Sequence, residues 1–295
     1  MDVIWLPDAR PRPRRLAVGE FDGVHIGHRE VIRGATSVLT FEPHPRTVVA
    51  PESAPKLLTT LDQKADLIAA LGVEELIVIP FDGSFAAQTA EEFIDHVLIE
   101  RLDARSVSVG ENFRFGHRAR GDAALLRAHG GFQTRVVELV ELDGEVVSST
   151  HIRGLVATGA VHAAARFLGA PFGMRGEVAH GDKRGRTLGF PTANLVPDPR
   201  LAVPDHGIYA CRASVPGRGE WTAAVSIGVR PTFVTGRGLL VEAFLLDFEG
   251  DIYGEELRLE FLERLRGERR FDSVDALVDQ MRLDVVETER IVAGG

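Results

Sequence analysis

Apolar and polar positions follow two rhythms along this chain, and the change falls near residue 172. Before it, strand-like segments alternate with stretches of helical spacing. Segments 16–18, 37–41, 76–80, 106–109 and 133–137 read as strands, and the unbroken apolar run at 76–80 suits a parallel strand covered on both faces. Residues 62–71 repeat at helical spacing and stop at Gly72. The sequence Thr89-Ala90-Glu91-Glu92 is a capping box that opens a helix to about residue 102, and 123–129 reads as a further helix. The first crossover, about 29–34, is a stub, shorter than a strand–helix–strand connection usually allows. This alternation predicts a parallel α/β sheet with right-handed crossovers.

After residue 172 the helical spacing disappears, and glycine and proline become frequent. Alternating segments at 207–214, 221–228, 239–247 and 256–261 predict an antiparallel module closed into a small barrel. The chain then runs into a helix over about 273–292. Its apolar positions, Val274, Leu277, Val278, Met281, Val285 and Val292, form one face to pack on the barrel. Residues 152–168, helical in pattern, bridge the halves, so the expected domains are 1–168 and 169–295.

Bulk numbers narrow the classes. A length of 295 residues favours two domains, each with its own core. No apolar run approaches a membrane span, and the first residues lack the basic-then-apolar pattern of a signal peptide, so a cytoplasmic protein with no membrane partner is expected. Cys211 is the single cysteine, which excludes a disulfide framework and a zinc–thiolate cluster; its alternating segment makes it a buried strand residue. A net charge of −9 argues against a nucleic-acid surface. A polyphosphate ligand would need local cations: Mg²⁺, arginines or protonated histidines.

Five segments carry candidate chemistry. The stretch Gly19-Glu20-Phe21-Asp22-Gly23-Val24-His25-Ile26-Gly27-His28 joins a strand to a helix. Its glycines let the backbone bend and approach a ligand, and the helix start offers N–H groups to phosphate. His25 and His28, three apart, suit either phosphate or, with further ligands, a metal. Thr40-Phe41-Glu42-Pro43-His44-Pro45 ends the second strand, as a stiff turn or with His44 facing the same cleft. In 109–116, Asn112 and Arg114 beside Phe113 and Phe115 suit a flat ring with polar edges, or a plain turn with core phenylalanines. Ser148, Ser149 and Thr150, with Arg153 one turn in, form a helix start that caps itself or cradles phosphate. In the β module, 180–194 is a glycine-spaced basic loop followed by Thr192 and Asn194. Those two share one face if extended and offer neutral oxygens to a hard cation; a solvated hairpin is the alternative.

In these segments the chain resembles the bacterial bifunctional riboflavin kinase/FAD synthetase family, over essentially its full length. Matching blocks are 19–28, 40–45, 109–116 and 148–153, then 176–194, 227–233, 241–247 and Tyr253-Gly254, and their order on one chain is the specific signal. The resemblance implies a nucleotidyltransferase-like N-terminal α/β domain that moves AMP from ATP to FMN. It also implies a C-terminal six-stranded riboflavin kinase barrel with a C-terminal helix. By the same implication, Gly19, Phe21, Asp22, Gly23, His25, His28, Ser148, Ser149, Thr150 and Arg153 bind ATP for adenylyl transfer, with His25 and His28 stabilising transition-state charge. His44, Asn112 and Phe113 then adjoin the flavin. In the barrel Gly181, Lys183, Gly185, Arg186, Thr192 and Asn194 hold ATP, the last two with Mg²⁺, and Glu242 is the general base on riboflavin. Arg264 and Arg266 would cover the flavin. The partners implied are the small molecules riboflavin, FMN and ATP, for a monomer or weak homo-oligomer. The short first crossover departs from the family pattern and leaves a rival reading: a riboflavin kinase whose N-terminal half binds nucleotide but transfers poorly. A nucleotide-sensing module, and an adenylyltransferase for another phosphate ester, are the other rivals.

Overall fold

The computed structural model describes residues 1–180, 189–229 and 239–294, and the chain forms two compact units, Met1–Ser149 and Thr150–Gly295. The first holds a six-stranded sheet of β1 (Asp2–Trp5), β2 (Arg14–Val18), β3 (Ser37–Glu42), β4 (Glu75–Pro80), β5 (Ala104–Gly110) and β6 (Gln133–Val137). All pairings are parallel, in the order β1-β4-β3-β2-β5-β6. The sheet therefore has one strand more than the strand-like segments of the sequence indicate. β1 sits at the edge, where Val3 and Trp5 stay 48% and 41% exposed, and its short apolar run, 3–6, is not among the segments read as strands.

Helices cover both faces. α1 (Ile26–Ile32) and α3 (Leu61–Ala69) flank a short α2 (Pro45–Val49). Val31, Ile32 and Ile68 pack with Ala17, Val38, Leu76 and Val78 of the sheet. On the opposite face Leu16, Leu39, Ile77 and Val107 meet Phe93, Ile94, Leu98 and Leu126. After a short α4 (Gly83–Ala86), the first three come from the π-helical continuation Phe93–Arg101 of α5 (Ala90–Glu92), and Leu126 comes from α6 (Ala123–His129). The capping box is formed: Thr89 Oγ1 accepts from the Glu92 N–H, and the Glu92 carboxylate accepts from the Thr89 N–H. At the amino ends of the strands a buried ion pair fixes register. Arg14 donates to both Glu75 oxygens, at 2.7 and 3.0 Å, and Ser37 adds a third donor. A two-stranded hairpin, β7 (Glu141–Leu142) and β8 (Glu145–Val146), follows β6.

The direction of winding locates the crevice. From β2 the chain steps outward to β3 and β4, and then β5 returns to the other side of β2. The loops after β2 and β5 leave the sheet at this reversal, the place where open α/β sheets hold ligands.

In the second unit, the single helix expected over 152–168 is two helices, α7 (Ser149–Ala157) and α8 (Val161–Leu168), separated at Gly159 with φ of 77°. α8 packs on β9 (Phe172–Ala179) and β14 (Glu256–Arg266). Those strands, with β10 (Ala193–Pro197), β11 (Gly207–Val215), β12 (Gly219–Val229) and β13 (Leu239–Leu245), close a six-stranded barrel in the order β10-β13-β12-β11-β14-β9. Alternate residues fill it: Met174, Leu195, Tyr209, Cys211, Val225, Val241, Leu259 and Phe261 are all at most 3% exposed. Burial pushes the Cys211 thiol pKa up and holds it as an inert core group.

α9 (Val274–Gly294) packs on β11, β12 and β14. Of the apolar face expected for it, Leu277, Val278, Met281, Val285 and Val292 are half-buried, and only Val274, at its first residue, needs correction, being 60% exposed; the most buried residues are polar, Asp284 and Thr288. Arg266 supplies the reason: its guanidinium meets the Asp284 carboxylate with bonds of 2.7 to 3.1 Å, and Gln280 donates to the same carboxylate.

Candidate functional site

The loop after β2 is assembled from below. Asp22 is 2% exposed, and its carboxylate accepts from the backbone N–H groups of Leu58 and Thr59 at 2.9 and 3.1 Å and from the Thr59 hydroxyl. The Gly23 N–H donates to Thr59 Oγ1, Thr40 Oγ1 donates to the Glu20 carbonyl, and Ser149 Oγ donates to the Asp22 carbonyl. These bonds hold Phe21, Gly23 and Val24 at φ of 50°, 84° and 43°, a left-handed region that costs a non-glycine residue strain. Phe21 tucks its ring inward, and a Cβ at position 19 would stand 3.0 Å from it, so a side chain there would require the Phe21 ring to shift.

This frame presents the two histidines. His25 lies just before α1 and caps it, its Nδ1 accepting from the His28 N–H at 3.2 Å. A neutral His25 ring consequently carries its proton on Nε2. The His28 ring stacks on that of His25, with centroids 3.5 Å apart, and Phe21 meets His28 edge-on at 5.3 Å. α1 therefore starts at Ile26, earlier than the expected 29, because an imidazole does the capping. Within the first unit, the start of the 148–153 segment reaches this loop through Ser149. Thr150 and Arg153 belong to the second unit, in the first turns of α7.

A cavity beside the loop is lined by Glu20, Asp22, Phe41, Glu42, His44, Pro45, Leu57, Thr59 and Lys64. His44 is 7% exposed; its Nδ1 accepts from the Arg46 N–H, and its Nε2 lies 2.8 Å from the Glu20 carboxylate. Lys64, on α3, is 6% exposed and donates to Thr40 Oγ1 at 3.3 Å. Burial drives its pKa below the ordinary 10.5, against the opposing pull of the Asp22, Glu42 and Glu20 charges. Sequence reasoning missed Lys64, Thr59 and Glu20. On a helix of mixed spacing a lysine reads as solvated, and only the fold buries it.

Behind the cavity, Phe41, Phe81, Phe85, Phe93, Phe115 and Phe113 form a chain of rings with neighbouring centroids 5.3 to 6.2 Å apart. It leads to the loop after β5, where Phe113 is half-buried and Asn112 exposed. Phe41, Phe93 and Phe115 are buried in the core, as the plain-turn reading of 109–116 expects for Phe115, and Phe113 alone of that segment's two rings is partly open beside Asn112.

In the barrel, Asn194 pairs with Glu242 across β10 and β13, Ser226 of β12 pairs with Glu242 from the other side, and Thr192 Oγ1 donates to Glu242 Oε1 at 3.4 Å. Three residues singled out from sequence therefore converge. Gly181, Lys183, Gly185 and Arg186 lie outside the described residues. Arg264 and Arg266 are each committed within the unit. Arg264 bonds the Thr158 carbonyl, the Asp205 carboxylate and the His206 carbonyl, while Arg266 holds Asp284. Among the described residues, no group of three or more His, Cys, Asp or Glu is arranged to hold a metal ion. A cation in the barrel would rest on the neutral oxygens of Thr192 and Asn194.

Comparison with known proteins covers both units. The FAD synthetase family model matches residues 8–151, and the riboflavin kinase family model matches residues 168–292. The bifunctional riboflavin kinase/FMN adenylyltransferase of Listeria monocytogenes is 36% identical over 291 residues, covering 94% of this chain and 92% of its own length. The Escherichia coli protein of the same name is 38% identical over 282 residues, 91% of this chain and 90% of that one. A crystal structure of a protein called a macrolide-efflux protein, from Streptococcus pneumoniae, superposes with a TM-score of 0.89 at 33% identity, over 98% of this chain and 99% of that one. Among the described residues, no helix of the present chain is long and apolar enough to cross a membrane. With both halves matched in order on one chain, it belongs to the bifunctional riboflavin kinase/FMN adenylyltransferase family.

Proposed function

We propose that this chain makes FAD from riboflavin in two transfers from ATP, each on its own half, with phosphorylation assigned to 169–295 and adenylyl transfer to 1–168. The observation that carries this is the convergence of Thr192, Asn194 and Glu242 in a barrel that shares its chain with the His25–His28 loop. The kinase-only alternative is disfavoured. The FAD synthetase match spans residues 8–151, and α1, though short, keeps its capped start directly under the histidine pair.

In the barrel Glu242 accepts the proton of the ribityl 5′-hydroxyl as that oxygen attacks the γ-phosphorus. The bond from the γ-phosphorus to the β,γ-bridging oxygen breaks, and ADP leaves with that electron pair. Thr192 and Asn194 fit Mg²⁺, being hard neutral oxygen donors beside the base, and the ion would neutralise phosphate charge there. Thr192, by donating to Glu242, also orients the carboxylate before substrate arrives. Arg264 and Arg266 act on the flavin indirectly, by holding the 205–206 turn and α9 in place.

In the first unit an FMN phosphate oxygen attacks the α-phosphorus of ATP. The α–β anhydride bond breaks, and pyrophosphate leaves. No covalent nucleophile is needed, so positioning and charge stabilisation do the work. His25 Nε2–H and His28 face the developing charge, Gly19, Phe21, Asp22 and Gly23 shape the loop beneath it, and Ser148 and Ser149 add phosphate contacts from the same unit. His44, Asn112 and Phe113, at the ends of the phenylalanine chain, receive the flavin. The reaction runs in the cytoplasm, on small molecules and without nucleic acid, and the chain acts as a monomer or weak homo-oligomer.

Glu242→Gln tests the division of labour. It is expected to abolish FMN formation while FAD synthesis from supplied FMN continues; loss of both activities together would refute it.

A further inference from the structure

Lys64 is a buried cation of the first unit that no assigned role uses. Placing an ammonium at 6% exposure is costly, and an apolar side chain would fill the position without that cost. Among the described residues its ammonium donates one hydrogen bond, at 3.3 Å to Thr40 Oγ1, and has three N–H donors to offer while it lines the cavity beside the 19–28 loop. Thr40 passes the contact on, donating to the Glu20 carbonyl at 3.1 Å, which is the backbone immediately after Gly19. The same cavity holds three carboxylates, Glu20, Asp22 and Glu42. Polyphosphate arriving at the loop would meet that negative charge unless a fixed cation offset it.

We propose that Lys64 is a positioning residue for adenylyl transfer: through Thr40 it fixes the root of the 19–28 loop, and its charge offsets Glu20, Asp22 and Glu42 so that the loop accepts the phosphates of ATP. The proposal rests on that loop being the ATP site. The groups facing the ammonium are Glu20 and Asp22 from the loop and Glu42 and His44 from the end of β3. Because burial lowers its pKa, Lys64 loses its proton at a pH below the ordinary value of 10.5, and affinity for ATP falls there.

The full-length chain tests this with steady-state FAD formation from supplied FMN, riboflavin phosphorylation being measured in the same samples. Lys64→Met is expected to raise the KM for ATP on the order of ten-fold or more, the scale of a lost charge-assisted hydrogen bond, with the kinase rate unchanged. Lys64→Arg restores most of the affinity and removes the alkaline rise in KM shown by the wild type, since guanidinium stays protonated. Thr40→Val, close in shape, raises the KM by a smaller factor and decides the matter should Lys64→Met fail to fold. An unchanged KM in folded Lys64→Met or in Thr40→Val, an arginine variant as impaired as the methionine one, or a wild-type KM flat with pH would each overturn the proposal. Absence of FAD formation by the wild type would instead sink the underlying reading of the loop.

Discussion

Asp22 offers a sharp test of how the nucleotide loop is held. Replacing it by Asn keeps the shape and removes the charge. The carboxylate accepts three backbone contacts, from Leu58 at 2.9 and 3.1 Å and from Thr59 at 3.1 Å, and one from the Thr59 hydroxyl at 3.3 Å. An amide has one oxygen, so whichever way it turns, its NH₂ faces a backbone N–H. Bonds to a charged acceptor contribute roughly 1 kcal/mol more than bonds to a neutral one, and one contact becomes repulsive, so the loop loses about 3 kcal/mol of support. With Asp22 anchoring residues held at positive φ, Phe21 and Val24 relax toward ordinary backbone and shift the histidine pair. A displacement of about 1 Å costs on the order of a hundred-fold in rate. FAD formation from FMN and ATP is therefore expected to fall about a hundred-fold in Asp22→Asn, with riboflavin phosphorylation retained. Full adenylyl transfer by a folded Asp22→Asn chain would refute the idea that this carboxylate sets the loop.

Two further predictions concern stability. Asp284→Ala leaves the Arg266 guanidinium, 15% exposed, without its bidentate partner, and is expected to destabilise the second unit by about 3–5 kcal/mol, read as a lowered midpoint in urea unfolding. Glu75, though burial alone would raise its pKa, is held below its ordinary 4.5 by the Arg14 and Ser37 hydrogen bonds and the charges of Arg14 and Arg12. A depressed folded-state pKa contributes stability above the unfolded value that is lost as pH falls through the folded one. Stability of the first unit should thus drop on acidification below about pH 4.5, and Glu75→Gln should flatten that limb.

Much of the architecture was legible because its cause is local. Strand β4 is buried on both faces and reads as an unbroken apolar run, and Thr89 and Glu92 announce a helix start by their own chemistry. The kinase constellation was partly legible, since Thr192 and Asn194 alternate onto one face, but Glu242 joins them only through the β10–β13 register. Where a residue's meaning depends on distant partners, the sequence misleads. Lys64 and Asp284 sit on helices as solvated charges would, yet are buried by Thr40 and Arg266 respectively. His25 is absent from the usual capping residues, which put the start of α1 too late. Gly159 was in view but lay within a stretch apolar enough to pass as one helix. Only the family resemblance places Arg264 and Arg266 over the flavin; their carbonyl and carboxylate partners come from elsewhere in the fold.

The central claim is that one chain performs both transfers. Riboflavin incubated with Mg-ATP and the purified protein, with products separated by chromatography over time, tests it most directly. FMN rising first and then giving way to FAD is the predicted result. FMN accumulating with no FAD, even when FMN is supplied, would contradict it.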